Sequence, residues 1–355
     1  MTTMWAARLV EAGKPLRIER VPVPDPAPDE LLIRVEACGL CGTDIHLAVD
    51  GDLPVERTPI TLGHETAGTV ARIGGSVEGV SEGDRVALFP AASCGVCRFC
   101  LAGRESLCET SEVYGMARDG GLAQYVTAPA RSILRLPEAI PFDIGAVVTD
   151  GVATPFHALR RRGELRAGES VGVFGCGGLG THAVQLAKMM EAGTIVAVDI
   201  DAEARDRTHR LGADLVLDPR EDDVPKEIRR HTGGAGLDLA LELVGLPETV
   251  ELAVRCLGTG GRAVVVGVGM GRPRLPPLAI FVGREQAVLG SFGMDRADIE
   301  DLYALILAGR LDLSGSVTAR YGLRQANDAL RRLAGKEAGV VRVVVEPWAS
   351  PGVGE

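Results

Sequence analysis

Residues 170–180, SVGVFGCGGLG, constrain the fold more than any other segment of this 355-residue chain. An apolar run leads into Gly175-x-Gly177-x-x-Gly180. A helical pattern follows in 181–193, where Ala183, Leu186, Ala187 and Met190 recur at helical spacing before a terminating glycine. Strand, glycine turn and helix in that order predict a parallel, doubly wound sheet with a dinucleotide lying on the turn. Gly175 allows the tight turn, Gly177 lets a pyrophosphate approach the N–H groups of the helix N-terminus, and Gly180 permits close helix–sheet packing, with Gly178 and Leu179 completing the site. Asp199, 19 residues past Gly180 at the end of the next apolar run, is spaced to accept from the adenosine ribose hydroxyls and to repel the extra phosphate of NADP. The predicted cofactor is therefore NAD, with Val266 and Val268 counted among its contacts. Arg205, six residues beyond Asp199, could reach a 2′-phosphate but reads more readily as part of a solvated helix face.

Apolar runs at 171–174, 195–198, 214–217, 238–243, 262–267 and 287–291 give this domain six expected strands. The first 140 residues are different: short β-rich segments punctuated by Gly and Pro. In ELLIRVEAC (30–38), Leu31, Ile33, Val35 and Ala37 fall on one face and Leu32, Arg34 and Glu36 on the other, and 68–89 reads as strand, turn, loop and strand. The expectation is an α/β protein of about two domains, one an irregular β-barrel and one a Rossmann domain.

Four of the eight cysteines, Cys94, Cys97, Cys100 and Cys108, lie within 15 residues, enough to close a tetrahedral zinc site with no open position. An iron–sulfur cluster would use the same ligands, but nothing else in the chain suggests electron transfer. A second group combines Cys41, Thr43, Asp44 and His46 with His64 and Glu65. One thiolate, one imidazole and one carboxylate from separated segments suit a catalytic zinc that keeps a position for substrate, although Cys38-x-x-Cys41 also has redox-pair spacing. Cys38, Cys176 and Cys256 are left as packing residues.

At these residues the sequence resembles the zinc-dependent medium-chain alcohol dehydrogenases. Gly63-His64-Glu65-x-x-Gly68-x5-Gly74-x-x-Val77 matches that family's zinc signature, and the four-cysteine lobe and the nucleotide fingerprint follow in the family's order over nearly the whole chain. The resemblance implies a GroES-like catalytic domain at 1–152, a Rossmann domain at 153–291 and a segment returning to the catalytic domain at 292–355, with a helix over 321–337, a closing strand over 340–346 and a loose tail after it. It implies two zinc ions per chain. Cys41, His64 and Asp150 would bind the catalytic one, Asp150 standing where many relatives have Cys, and the four clustered cysteines would bind the structural one. Glu65 becomes the carboxylate near the metal, Asp44 the group that orients His64, Thr43 and His46 a proton relay, and Thr154 a neighbour of the nicotinamide that equally suits a helix N-cap before Pro155. The 42 residues from Cys108 to Asp150 match the compact bacterial form, expected to be a homotetramer.

Charge narrows the partners. With 38 Lys+Arg against 48 Asp+Glu the chain carries a formal −10, which argues against nucleic acid or an anionic membrane surface. No apolar run approaches the ~20 residues that span a bilayer, and the first residues lack a secretory pattern, so a cytoplasmic enzyme is expected. The expected reaction is reversible oxidation of a secondary or aromatic primary alcohol. A polyol, sugar or threonine dehydrogenase is the rival within the family, and a non-catalytic dinucleotide-binding protein the rival outside it.

Overall fold

The computed structural model describes residues 2–335 and 339–349, which form two compact units: Met1–Gly151 with Asp295–Glu355, and Val152–Met294.

The second unit is built on a six-stranded sheet in which every neighbouring pair is parallel. The strands stand in the order Leu215–Leu217, Thr194–Val198, Ser170–Phe174, Leu237–Glu242, Leu257–Val265 and Ala287–Gly290. Ser170–Phe174 is buried along its whole length, as a strand covered on both faces should be. Its apolar core gathers Phe174, Val196, Val198, Leu217, Ile228, Leu237 and Ala240. The fifth strand begins at Leu257, five residues before the expected 262. Its early part, LGTGG, carries no apolar alternation and pairs through a register shift between Leu237 and Leu239, so pairing extends where the residue pattern is silent. The helix after the glycine turn spans Gly178–Met189 and stops short of the expected glycine at 193, because Glu191 already turns the chain at φ 63°.

The first unit centres on the long strand Glu30–Leu40, in which Leu31, Ile33, Val35 and Ala37 are buried as the alternation requires; on the other face Arg34 and Glu36 are half-buried, but Leu32 is buried as well. It pairs antiparallel with Glu65–Ile73 on one edge. Its other partners are Tyr125–Pro129 along its first residues and Arg342–Glu346 along Cys38–Leu40. The sheet continues outward through Arg85–Leu88 and Ile133–Arg135 on one side and Val317–Gly322 on the other. Register then positions the chemistry: Gly39 stands opposite Glu65 on one edge and Val344 on the other, so Cys41, one step past the strand, emerges between Glu65 and Arg342. The expected 321–337 helix is Ala326–Ala334, preceded by strand and a single turn, and its expected last two residues lie outside the described ones; the closing strand is Arg342–Glu346, and of the expected tail only 347–349 is described.

Close approach explains Gly68 in the zinc signature. A Cβ there would stand 2.0 Å from the Arg34 carbonyl oxygen on the paired strand. Gly68→Val should therefore force the two central strands apart, destabilising the first unit by about 1–3 kcal/mol; a lowered thermal midpoint with retained nucleotide binding is the expected measurement.

Candidate metal and cofactor sites

Cys41 is the N-cap of a single helical turn, Gly42–Ile45, and its sulfur accepts from the Thr43 N–H at 3.3 Å. His64 follows a glycine at φ 96° and leads into the strand Glu65–Ile73, while Asp150 sits on a helical turn, Val148–Val152. The three segments bring Cys41 Sγ to 3.1 Å from His64 Nε2 and His64 Nε2 to 3.5 Å from Asp150 Oδ2. One donor atom each from Cys41, His64, Glu65 and Asp150 lies within 4.8 Å of all the others. A tetrahedral zinc with ligands at about 2.0–2.3 Å separates them by about 3.3–3.8 Å, so the donor set fits one such ion.

The electrostatics point the same way. Burial pushes the Cys41 thiol and the Asp44 carboxyl up, and pushes Glu65 up to about 7 against the pull of Arg342. Burial alone would lower His64, yet Cys41, Asp150 and Asp44 hold it well above its ordinary value. These are the shifts of a dry cluster crowded with anions. A dication among the donors would keep the thiolate and carboxylates ionised and the imidazole neutral.

Several side chains take positions that spacing could not supply. Asp44 is buried, and its Oδ2 accepts from the Cys41 N–H at 3.0 Å; among the described residues it reaches His64 through space and not through a direct hydrogen bond. Cys38 is buried in the core of the first unit, where its sulfur accepts from the Thr66 hydroxyl at 3.8 Å. His46 is half-exposed, with Nδ1 3.0 Å from Asp52 Oδ1 and 3.5 Å from Asp50 Oδ2. Gly51 makes this possible: at φ 70° it ends the turn, and its N–H returns to the His46 carbonyl at 2.8 Å. Thr43 is half-buried one turn before His46. Thr154 lies inside the helix Ala153–His157, whose N-cap is Val152, so the capping alternative for Thr154 fails: helical turns continue unbroken from Val148.

Arg342 went unnoticed in the sequence. It is 3% exposed and forms an ion pair with Glu65 Oε1. A Cβ on Gly151, next to Asp150, would come within 2.7 Å of its guanidinium carbon, so Arg342 lies across the base of the donor set. The available signal was a lone cation inside the apolar run VVRVVVE.

In the four-cysteine lobe, Cys97 and Cys100 sulfurs stand 3.6 Å apart and Cys94 and Cys100 sulfurs 3.9 Å, with all four donors within 4.8 Å. These are the edges of a tetrahedron around one zinc, about 3.8 Å, and leave no volume for a multi-iron cluster. Backbone N–H groups lower the Cys94 thiol to about 6, favouring the thiolate that binds metal.

At the nucleotide turn Gly175 has φ 93°, and a Cβ on Gly180 would stand 1.9 Å from the Gly175 carbonyl oxygen, so both glycines are demanded by the fold. Gly177 is different. Its φ of −67° suits any residue and a Cβ would meet nothing within 4 Å. Open space at the N-cap of a 12-residue helix is a cradle that a Cβ would fill, and it fits a pyrophosphate. Asp199 anchors the turn by accepting from the Cys176 N–H at 2.5 Å and the Asp201 N–H at 2.8 Å, one to each oxygen. Val266 is buried after the fifth strand, and Val268 is 66% exposed.

Two variants separate scaffold from site. Arg342→Met leaves Glu65 buried and unpaired and should destabilise the first unit by about 3–5 kcal/mol in chemical denaturation. Gly177→Ala should leave the melting temperature unchanged, since nothing in the protein meets a Cβ there, and should weaken NAD binding roughly tenfold by calorimetry.

Comparison with known proteins agrees with this geometry. The alcohol dehydrogenase GroES-like domain model matches residues 27–138 and the zinc-binding dehydrogenase model residues 178–308. An alcohol dehydrogenase of Rhizobium meliloti is 40% identical, covering 90% of this chain and 91% of its own length. An NAD-dependent alcohol dehydrogenase of Sulfurisphaera tokodaii is 35% identical over 97% of this chain and 100% of its own. A Sinorhizobium meliloti 1021 chain assigned as a zinc-binding dehydrogenase and solved with NADP bound superposes with a TM-score of 0.89 at 33% identity, covering 98% and 100% of the two chains. With both domain models matched in order and relatives aligned end to end, the chain belongs to the zinc-dependent medium-chain alcohol dehydrogenase family.

Proposed function

We propose that this protein is an NAD-dependent zinc alcohol dehydrogenase that interconverts a secondary or aromatic primary alcohol with its ketone or aldehyde. The observation that carries this reading is the meeting of Cys41, His64 and Asp150 beside the turn that bears Thr43 and His46. Cys41, His64 and Asp150 would hold the catalytic zinc, and Cys94, Cys97, Cys100 and Cys108 a structural one. When bound, the zinc supplies Lewis-acid polarisation of an alcohol oxygen, and NAD supplies the hydride acceptor.

The chain's own residues manage the proton. Thr43 would take it from the alcohol, and His46 would pass it to water. The two carboxylates at His46 Nδ1 favour the tautomer with its proton on that nitrogen, leaving Nε2 as the basic site, and half-exposure gives the ring contact with solvent. Gly175, Gly177, Gly178, Leu179 and Gly180 would cradle the pyrophosphate, Asp199 would hold the adenosine ribose, and Thr154, Val266 and Val268 would line the cofactor. Asp44 would steady the Cys41 segment through its amide, and Glu65 would approach the metal from its place on Arg342. The eight unpaired cysteines suit a reducing cytoplasm, and among the described residues no helix is long and apolar enough to cross a membrane. The short spacing from Cys108 to Asp150 supports a homotetramer, which sedimentation would test.

NADH formation with 2-propanol, benzyl alcohol, sorbitol, threonine and glucose tests the substrate class. Turnover of a polyol or threonine alone would refute the simple-alcohol reading. Metal analysis should give two zinc ions per chain, and Asp150→Ala should lose about one of them together with at least ~100-fold in kcat/KM, while its melting curve stays cooperative. Full activity in that variant would remove Asp150 from the ligand set.

A further inference from the structure

Glu242 ends the strand Leu237–Glu242 and pairs in register with Phe174, the last residue before the glycine turn. Strand order reverses between these two neighbours, and the crevice at their carboxyl ends is where such sheets take a dinucleotide. With Asp199 read as the adenosine ribose anchor on one half, the half that begins at Leu237–Glu242 receives the nicotinamide mononucleotide. Glu242 ties that half together. Its Oε1 accepts from the Val244 N–H at 2.9 Å, the Gly245 N–H at 2.8 Å and the Thr249 hydroxyl at 2.7 Å. Its carbonyl accepts from the Val266 and Gly267 N–H groups at 2.8 and 3.1 Å. The two loops touch backbone to backbone: a Cβ on Gly267 would stand 2.1 Å from the Gly245 nitrogen.

The second oxygen holds nothing in the protein. Glu242 is 0% exposed, and its Oε2 is buried with no hydrogen-bond partner. Among the described residues no cation pairs with the side chain, which accepts three hydrogen bonds and donates none. A carboxylate so placed puts a negative charge in a dry region, where it acts on nearby charge far more strongly than in water. The charged residues of the same two loops, Glu248, Arg272 and Arg274, are exposed, where water and salt weaken them. The charged side chains of 199–207 and 218–222 follow strands on the other side of Ser170–Phe174.

We propose that the buried Glu242 carboxylate sets the preference of the site between the two redox forms of its cofactor. The oxidised nicotinamide ring carries a positive charge that the reduced ring lacks, so a fixed anion in the nicotinamide half favours NAD over NADH. Its repulsion of the pyrophosphate is common to both forms and cancels in their ratio. Glu242 is thus a positioning residue that orders two loops through Oε1 and its carbonyl and biases the bound couple by its charge. This rests on the reading of the crevice as an NAD site.

The test compares dissociation constants on the zinc-loaded full chain, NAD by calorimetry and NADH by its fluorescence, with ADP-ribose as a probe that lacks the nicotinamide. Glu242→Gln keeps an acceptor for the Val244 and Gly245 N–H groups and removes the charge. It should raise the ratio Kd(NAD)/Kd(NADH) roughly tenfold, the scale of one charge acting across a partly buried site, and the shift should persist at high salt. Thr249→Val removes a hydrogen bond to the same carboxylate but keeps its charge, so it should leave the ratio unchanged whatever it does to the melting temperature. Should Glu242→Gln fail to fold, Glu242→Ser, with room for a water on the loop N–H groups, carries the same expectation. The proposal is overturned if the ratio stays put in the neutral variant while both forms still bind, or if Thr249→Val moves it as far. A native chain that binds none of NAD, NADH and ADP-ribose would refute the nucleotide reading itself, a result recognisably different from an unmoved ratio.

Discussion

The buried ion pair between Glu65 and Arg342 is the interaction on which the first unit depends. It joins residues 277 positions apart, one at the start of the zinc-signature strand and one at the start of the closing strand. Neither charge is tolerable alone at that depth, since a buried unpaired ion is far costlier than the pair. The pair therefore binds the last strand to a defined place beside the central strand Glu30–Leu40. With that register fixed, Cys41 leaves the strand between the two charges, and Gly151 and Asp150 lie against the guanidinium.

The cluster that results is strongly anionic: the Cys41 thiol, the two donor carboxylates Glu65 and Asp150 and the neighbouring Asp44 gather around one imidazole and one guanidinium. Burial and mutual repulsion favour protonation throughout; a bound dication would relieve both, and Arg342 is a permanent partial counter-charge. The nucleotide unit solves a parallel problem with a different device. Gly175 and Gly180 are there for the backbone, whereas a Cβ on Gly177 would meet nothing in the protein, which separates the glycines that make the turn from the one that leaves space open for a ligand.

Much of this was legible in the order of residues. The glycine fingerprint, the four-cysteine lobe and Cys41, His64 and Glu65 could be read because each depends on residue type at short spacing. Strand patterns were readable where one face is buried and the other is less so, as in Ile33 to Ala37, and unreadable in LGTGG, where pairing proceeds without a side-chain pattern. Arg342 gave a faint signal, one cation among valines. Arg205 reads as solvated but is only 18% exposed and donates to Asp218, which lies just past the neighbouring strand Leu215–Leu217, so no local pattern ties the two together. Asp44 was read as a partner of His64, while its hydrogen bond goes three residues back to the Cys41 amide.

The sequence by itself determined the available donor chemistry, the two kinds of unit and the glycine turn suited to a dinucleotide, because these follow from residue identity within a few positions of the chain. Tertiary structure decided which charges meet. Strand register set Glu65 against Arg342 and Asp218 beside Asp199, and register is a long-range property: it is fixed by packing of whole strands, so partners far apart in the chain become neighbours only when the sheets close.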